Sequence, residues 1–250
     1  AGSPTICGTN TGQHMILDAS DACNDITFNF GSSSGTARQY DIKVVQYECG
    51  TNLGGESDCF QYFTGSSGMV ASFNFPTSSS TVGSTTTHLS NQCYSICFRR
   101  ESGMCGLCFS PVIAIAIGAE TAQSSFGLSI SDAAIAVSSR GSLCSTDYLQ
   151  IPGAMTVTPA IALSQTGTAT SITRVCGRVF SVTSQQTLAI AYNTIFESIC
   201  TVQRPFKITF KTDDDEVTTA TAVAAINNEQ MIGPGGIVGF YLRYNQVACA

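Results

Sequence analysis

The chain predicts an all-β fold, an antiparallel sandwich, on three observations. Short segments alternate apolar with polar residues: DITFNF (25–30), YDIKVVQY (40–47), MVASFNF (69–75), YSICFR (94–99), FGLSIS (126–131), YLQI (148–151), TLAIAY (187–192), FKITFK (206–211) and GFYLRY (239–244). They are rich in the β-branched and aromatic side chains that fit a pleated, half-buried surface. Gly, Ser, Thr and Asn clusters separate them, and no long stretch repeats with the 3.6-residue period of a helix. The Ser/Thr run at 77–87 reads as a solvated loop, and the Ala/Thr-rich insertion at 218–228 suits a short helix.

Composition narrows the function classes. Charged residues make up 11% of the chain and the net charge is −6, against roughly 25% charged residues in an ordinary soluble protein. No basic run exists beyond Arg99 and Arg100, so the sequence carries no footprint for a phosphate backbone and nucleic acid is not an expected partner. Twelve cysteines along the whole chain point to an oxidising compartment, hence to a secreted, extracellular protein. The chain opens at Ala1 with no basic-then-apolar leader, as a mature chain does after signal-peptide removal and as any cut at that point also would. The longest apolar run, VIAIAIG (112–118), is far short of the ~20 residues of a membrane span and reads as a buried strand. No Asn-x-Ser/Thr acceptor occurs.

An internal repeat organises the chain. ICGTNTGQHMILDASDACNDITFNF…YDIKVVQYEC (6–49) parallels VCGRVF…TLAIAY…SICTVQRPFKITFK…FYLRYNQVAC (175–249). Each copy opens on Cys-Gly, places a second cysteine before an Ile-Thr-Phe strand, and closes with Gln three residues before Cys. Residues 1–58 therefore read as an additional N-terminal β region, a second copy of a domain's C-terminal half, and residues 59–250 as the complete domain. A half-sandwich exposes an apolar face and a strand edge unless both are covered. Its face is Tyr40, Ile42 and Val44, equivalent to Phe240, Leu242 and Tyr244 of the second copy. Residues 1–58 are expected to pack on the complete domain or on a neighbouring subunit, with self-association favoured by the scarcity of charge.

The middle of the chain resembles a CUB domain. Gly68, Val70, Ser72, Asn74, Phe75 and Pro76 fit the family's Gly-x-Ile-x-Ser-x-Asn-Tyr-Pro after an opening cysteine, Cys59. Asn91, Cys93, Tyr94 and Ile96 fit its Asn-x-x-Cys-aromatic-x-Ile, with the spacing contracted by one residue. Further on, CSTDYLQI (144–151), RVCG (174–177), FKTD (210–213) and GFYLRY (239–244) are similar to later family motifs, in the right order. The stretches IKVVQYEC and HLSNQCYSICFRRESGMCGLC also resemble arthropod secreted CUB-like proteins. The likeness covers about Cys59 to Tyr244 and implies a CUB-like, jelly-roll type of sandwich; the extra half-domain is the departure from a plain CUB domain.

The same resemblance implies pairings and a cation site. Cys144 should join Cys176, and Cys59 should join Cys93, with Cys49–Cys59 as a rival. Equivalent strands of the repeat should close equivalent loops, Cys23–Cys49 and Cys200–Cys249. The partners of Cys7, Cys97, Cys105 and Cys108 stay open. The Cys105–Cys108 spacing matches half a zinc site or a redox pair, but no second such motif follows, and disulfide cysteines in neighbouring strands is the favoured reading. Many CUB domains hold calcium with two aspartates and a glutamate upstream of the third cysteine, an all-oxygen set suited to a hard cation. Asp147 and Asp213 match the aspartates, but the glutamate's place reads AIAVSSRGSLC. Asp214, Asp215 and Glu216 are further oxygen donors, yet the acidic run reads better as a solvated turn. Weak or absent calcium binding is expected.

No catalytic constellation emerges. His14 and His88 lie far from any Gly-x-Ser-x-Gly or acid-rich context and read as surface histidines; there is no phosphate loop and no His-Glu-x-x-His. The expected function is non-enzymatic: extracellular recognition or assembly through protein–protein contacts. The alternative is a carrier of an apolar small molecule, lipid or pigment, since a surface with little charge leaves room for apolar patches.

Overall fold

A computed structural model describes residues 5–31, 35, 37–51, 55, 58–78, 87–112, 125–128, 138–157, 173–177, 180–182, 198–214 and 237–249. The strands are β1 (Gln61–Phe63), β2 (Ser67–Ala71), β3 (Cys93–Phe98), β4 (Met104–Pro111), β5 (Phe126–Gly127), β6 (Ser138–Arg140), β7 (Tyr148–Gln150), β8 (Met155–Val157), β9 (Arg174–Gly177), β10 (Ser198–Thr201), β11 (Lys207–Lys211) and β12 (Gly239–Ala248). They form the expected sandwich. One sheet runs β1-β3-β11-β7-β9-β6; the other runs β2-β12-β4-β10-β8, with β5 also paired to β12. Only the short β1–β3 pair is parallel among the described residues.

Alternation decides which side chains face inward. In β11, Ile208 and Phe210 are buried while Lys207, Thr209 and Lys211 are half-buried on the outer face. In β12, Phe240, Leu242 and Tyr244 are buried, as their alternate spacing predicts. The two layers meet through edge-to-face aromatic contacts: Phe210 on Phe240 at 5.2 Å, Phe98 on Phe109 at 5.4 Å, and Phe98 on Tyr244 at 4.8 Å.

The N-terminal region departs from expectation. The repeat predicts strands at 25–30 and 40–47, but neither stretch is paired into a strand. Tyr40, Ile42 and Val44 are 63%, 51% and 71% exposed, the opposite of their counterparts in β12. The physical reason is that β12 lies between β2 and β4 under a second sheet, whereas the elements of Cys59–Phe98 occur once in the chain and serve the second copy. Among the described residues, packing on residues 59–250 runs through residues 5–16 and through Gly55, which lies against the Tyr62 ring. There Thr9 N–H donates to Asn74 Oδ1 (3.0 Å), Asn10 Oδ1 accepts from Asn74 N–H (2.9 Å), and Ile16 N–H donates to the Phe60 carbonyl (2.8 Å). The Gln61 side chain, itself buried, donates to Gln13 Oε1 and the His14 carbonyl.

Four disulfides are present among the described residues: Cys59–Cys97, Cys105–Cys249, Cys108–Cys200 and Cys144–Cys176. Three expectations need correction. Cys200 does not meet Cys249, because β4 lies between β10 and β12; two strand spacings are about 9.6 Å, beyond the ~7 Å a disulfide spans. Cys200 instead stands directly opposite Cys108, and Cys249 reaches Cys105, the extra residue of a bulge where Val247 opposes Gly106 and Ala248 opposes Met104. Cys59 joins Cys97 rather than Cys93 or Cys49, since the parallel register draws β1 to the far end of β3 and leaves Cys93 exposed opposite Lys211. Cys23 and Cys49 are exposed thiols, as is Cys7; the unpaired stretches between them do not bring them together. The segments 79–86, 113–118, 187–192 and 218–228 lie outside the described residues.

Non-reducing peptide mapping should recover the Cys105–Cys249 and Cys108–Cys200 crosslinks and no Cys200–Cys249 peptide. Phe210→Ala should lower the unfolding free energy by about 3–5 kcal/mol, measured by denaturant titration, because it empties the contact between the layers.

Candidate functional site

The two aspartates singled out in the sequence do come together, at one end of the sandwich, but as a buried structural knot. Asp147, just before β7, is fully buried, and its Oδ1 accepts the backbone N–H of Asp213 at 2.8 Å. Asp213 follows β11, so this bond joins the entry of one strand to the exit of its neighbour. The His88 imidazole lies 3.7 Å from Asp147 Oδ2, and both side chains are sealed from solvent. Backbone bonds tighten the surrounding loops: Asn91 N–H donates to the Asp213 carbonyl, Thr212 N–H to the Gln92 carbonyl, and His88 N–H to the Ile237 carbonyl. Thr212 Oγ1 accepts from Gln92 N–H at 2.9 Å and donates to the Leu89 carbonyl at 2.8 Å.

Both histidines differ from the surface reading. His88 is buried in this knot, edge-on to Phe210 at 6.0 Å, and burial pushes its imidazole down to about 4. His14 is half-buried: its Nε2 accepts the Tyr62 N–H at 3.0 Å and its ring meets Phe63 edge-on at 4.9 Å. Burial holds its pKa below the ordinary value, and the accepting nitrogen requires the neutral ring. Nothing in CGTNTGQHM foretells this strap, because its hydrogen bonds are made to backbone that only the fold presents.

As a cation site the knot is incomplete. One Asp147 oxygen is engaged by a peptide N–H, Asp214 is exposed, and Asp215 and Glu216 lie outside the described residues. Among the described residues no group of three or more His, Cys, Asp or Glu side chains could hold a metal. Cys105 and Cys108 are each consumed in a disulfide. No helix among the described residues is long and apolar enough to cross a membrane.

Comparison with known proteins agrees with this architecture. The family model of the animal CUB domain matches residues 56–247, and the chain belongs to that family. CUB domains are generally non-catalytic binding modules of extracellular proteins. The solved structure of the CUB1-EGF-CUB2 domains of rat MASP-1 aligns with 76% of this chain and 43% of that one, at 13% identity and a TM-score of 0.36. The chain thus spans less than half of that solved chain. No curated protein matches it significantly.

Asp147→Ala should destabilise the fold by about 3–5 kcal/mol in denaturant unfolding, because it leaves the Asp213 N–H without its acceptor and a void beside the buried imidazole. Neutral His88 makes stability depend on pH with a defined sign. Its folded-state value lies below 6.5, so the unfolded chain takes up the proton first as pH falls. Its contribution is complete above pH 6.5 and declines from there to about pH 4. A His88→Gln variant should lose that part of the acid slope in unfolding titrations run across the same window.

Proposed function

We propose that this chain is a secreted, non-enzymatic CUB-type module that acts in extracellular recognition or assembly through protein–protein contacts, with a second copy of itself as first partner. The observation that carries the reading is the apolar face left open by residues 26–47. Phe28, Phe30 and Tyr40 stack nearly parallel at 4.9 to 6.3 Å, with the Arg38 guanidinium 5.7 Å from the Phe30 ring centroid. Ile26, Ile42, Val44, Val45 and Tyr47 in the same stretches are exposed as well. Exposed apolar side chains in this number mark an interaction site. In the repeat, the equivalent face is covered by protein, and two copies can cover one another through the same patch, the isologous arrangement of a closed dimer. Four disulfides suit an oxidising extracellular setting. The His88–Asp147 pair is sealed from solvent, so no substrate reaches it. Calcium plays no strong part in this proposal: Asp147 and Asp213 hold loops together, and any binding is weak.

Sedimentation at low micromolar concentration should show a dimer or larger species. Tyr40→Ser combined with Val44→Ser, both at exposed positions, should weaken self-association about tenfold or more, by loss of two buried apolar side chains. A strictly monomeric wild-type species would overturn the self-association, and a lipid or pigment in an organic extract of native protein would favour the carrier reading instead.

A further inference from the structure

The sequence shows no basic cluster beyond Arg99-Arg100, yet the fold builds one across strands. The outer face of the first sheet carries Lys207 and Lys211 on β11, four residues and about 13 Å apart along the strand. Arg174, on β9, stands opposite Gln150 of β7, which in turn pairs with Thr209, so this guanidinium sits beside the middle of the same track. Arg174 lies 4.3 Å from the Tyr148 ring centroid and Lys211 lies 5.7 Å from it on the same outer face. Beyond Lys207 the track enters an open cleft of about 490 Å3, lined by Tyr62, Phe98, Arg99, Arg100, Arg204 and Phe206 among others.

The charges are available. Arg99 is neutralised by Glu101 at 2.9 Å. Arg100 donates only to the Met104 carbonyl at 3.4 Å, and Arg204 only to the Cys105 sulfur at 3.3 Å. No described carboxylate pairs with Arg100, Arg204, Lys207, Lys211 or Arg174. Lys207, Lys211 and Arg174 share the outer face of this sheet, and Arg100 and Arg204 line the adjoining cleft, in a chain that has 11 lysines and arginines in all and a net charge of −6. The acidic turn at Asp213 and Asp214 closes the far end.

We infer that this face binds a linear sulfated polysaccharide laid along β11 with one end in the arginine cleft. Three features select that ligand class. Lys207 and Lys211 stand about 13 Å apart along β11, and Arg174 stands two strand spacings, about 10 Å, to the side of their midpoint, a spread that suits a chain of repeated fixed anions. Thr209 stands between the two lysines with Ser95 and Gln150 on either side of it, half-buried hydroxyl and amide groups that bond sugar oxygens. In the cleft, the guanidinium groups of Arg100 and Arg204 match the oxygens of a sulfate in bidentate fashion. This surface is separate from the apolar patch of residues 26–47, so the inference goes beyond the self-association proposed above.

Heparin is the probe. Wild-type protein should be retained on a heparin column at physiological salt despite its net negative charge and elute as salt rises. Lys207→Gln with Lys211→Gln, and separately Arg100→Gln with Arg204→Gln, should each weaken heparin binding about tenfold in a solution titration. Arg243→Gln, which removes a cation from the exposed face of the other sheet, should leave affinity within twofold. Circular dichroism of every variant checks the fold, and the exposed Arg100/Arg204 pair keeps the test valid if the strand variant is unstable. No wild-type retention, undiminished binding by both double variants, or an equal loss with Arg243→Gln would overturn the inference. Equal affinity for poly-glutamate would replace the polysaccharide with an acidic protein partner and overturn it as well, whereas binding of heparin alone supports it.

Discussion

The edge-to-face contact of Phe210 on Phe240 is the constraint on which the rest of the molecule depends. β11 is flanked by β3 and β7 in one sheet, and β12 by β2 and β4 in the other, so this one ring pair joins the middles of both layers. Tyr94 extends it on one side at 5.6 Å and Phe73 continues from Tyr94 at 5.3 Å. A chain without tryptophan and with few charges has little else with which to set the separation of its sheets. Phenyl rings meeting edge to face fill the interlayer gap in one geometry, since the positive edge of one ring seeks the negative face of the next. Once Phe210 and Phe240 are placed, alternation sends Lys207, Thr209 and Lys211 outward, and the outer surface follows from the inner one.

The polar knot and the disulfides secure what the aromatic seam leaves loose. Asp147 sits where a strand entry meets a strand exit, and the N–H of Asp213 offsets part of the desolvation cost of the buried side chain. His88 beside it is held neutral by its own burial, which disfavours the charged imidazolium. The disulfides act on different joints: Cys108–Cys200 crosslinks adjacent strands, Cys105–Cys249 pins the end of the long β12, and Cys144–Cys176 anchors the turn that leads into Asp147.

Outside the core the molecule divides its surface by chemistry. The N-terminal stretches carry aromatic and aliphatic side chains into solvent, while the outer face of the β11 sheet carries cations separated by hydroxyls and an amide. The strap of residues 5–16 ties the first of these regions to the sandwich through Gln13, His14 and Ile16, so the apolar patch is tethered to the module and not free to drift from it.

By itself the sequence determined the all-β class, the positions of β2, β3, β5, β7, β11 and β12, and the identity of the face Phe240, Leu242 and Tyr244. These follow from local periodicity, which every residue of a strand reports. It also singled out Asp147 and Asp213, because a short motif places each beside a strand. What it left undetermined depends on which strands become neighbours. The pairings of Cys200, Cys249 and Cys59 turned on β4 lying between β10 and β12 and on the parallel run of β1 along β3. The burial of His88 and the docking of His14 turned on backbone brought from far along the chain. The repeat suggested the same fate for Tyr40 and Phe240, yet one is exposed and the other buried, because burial belongs to the partner sheet and not to the pattern. The basic surface was invisible for the same reason: Arg100, Arg174, Arg204, Lys207 and Lys211 are scattered in sequence, and only lateral strand order gathers them.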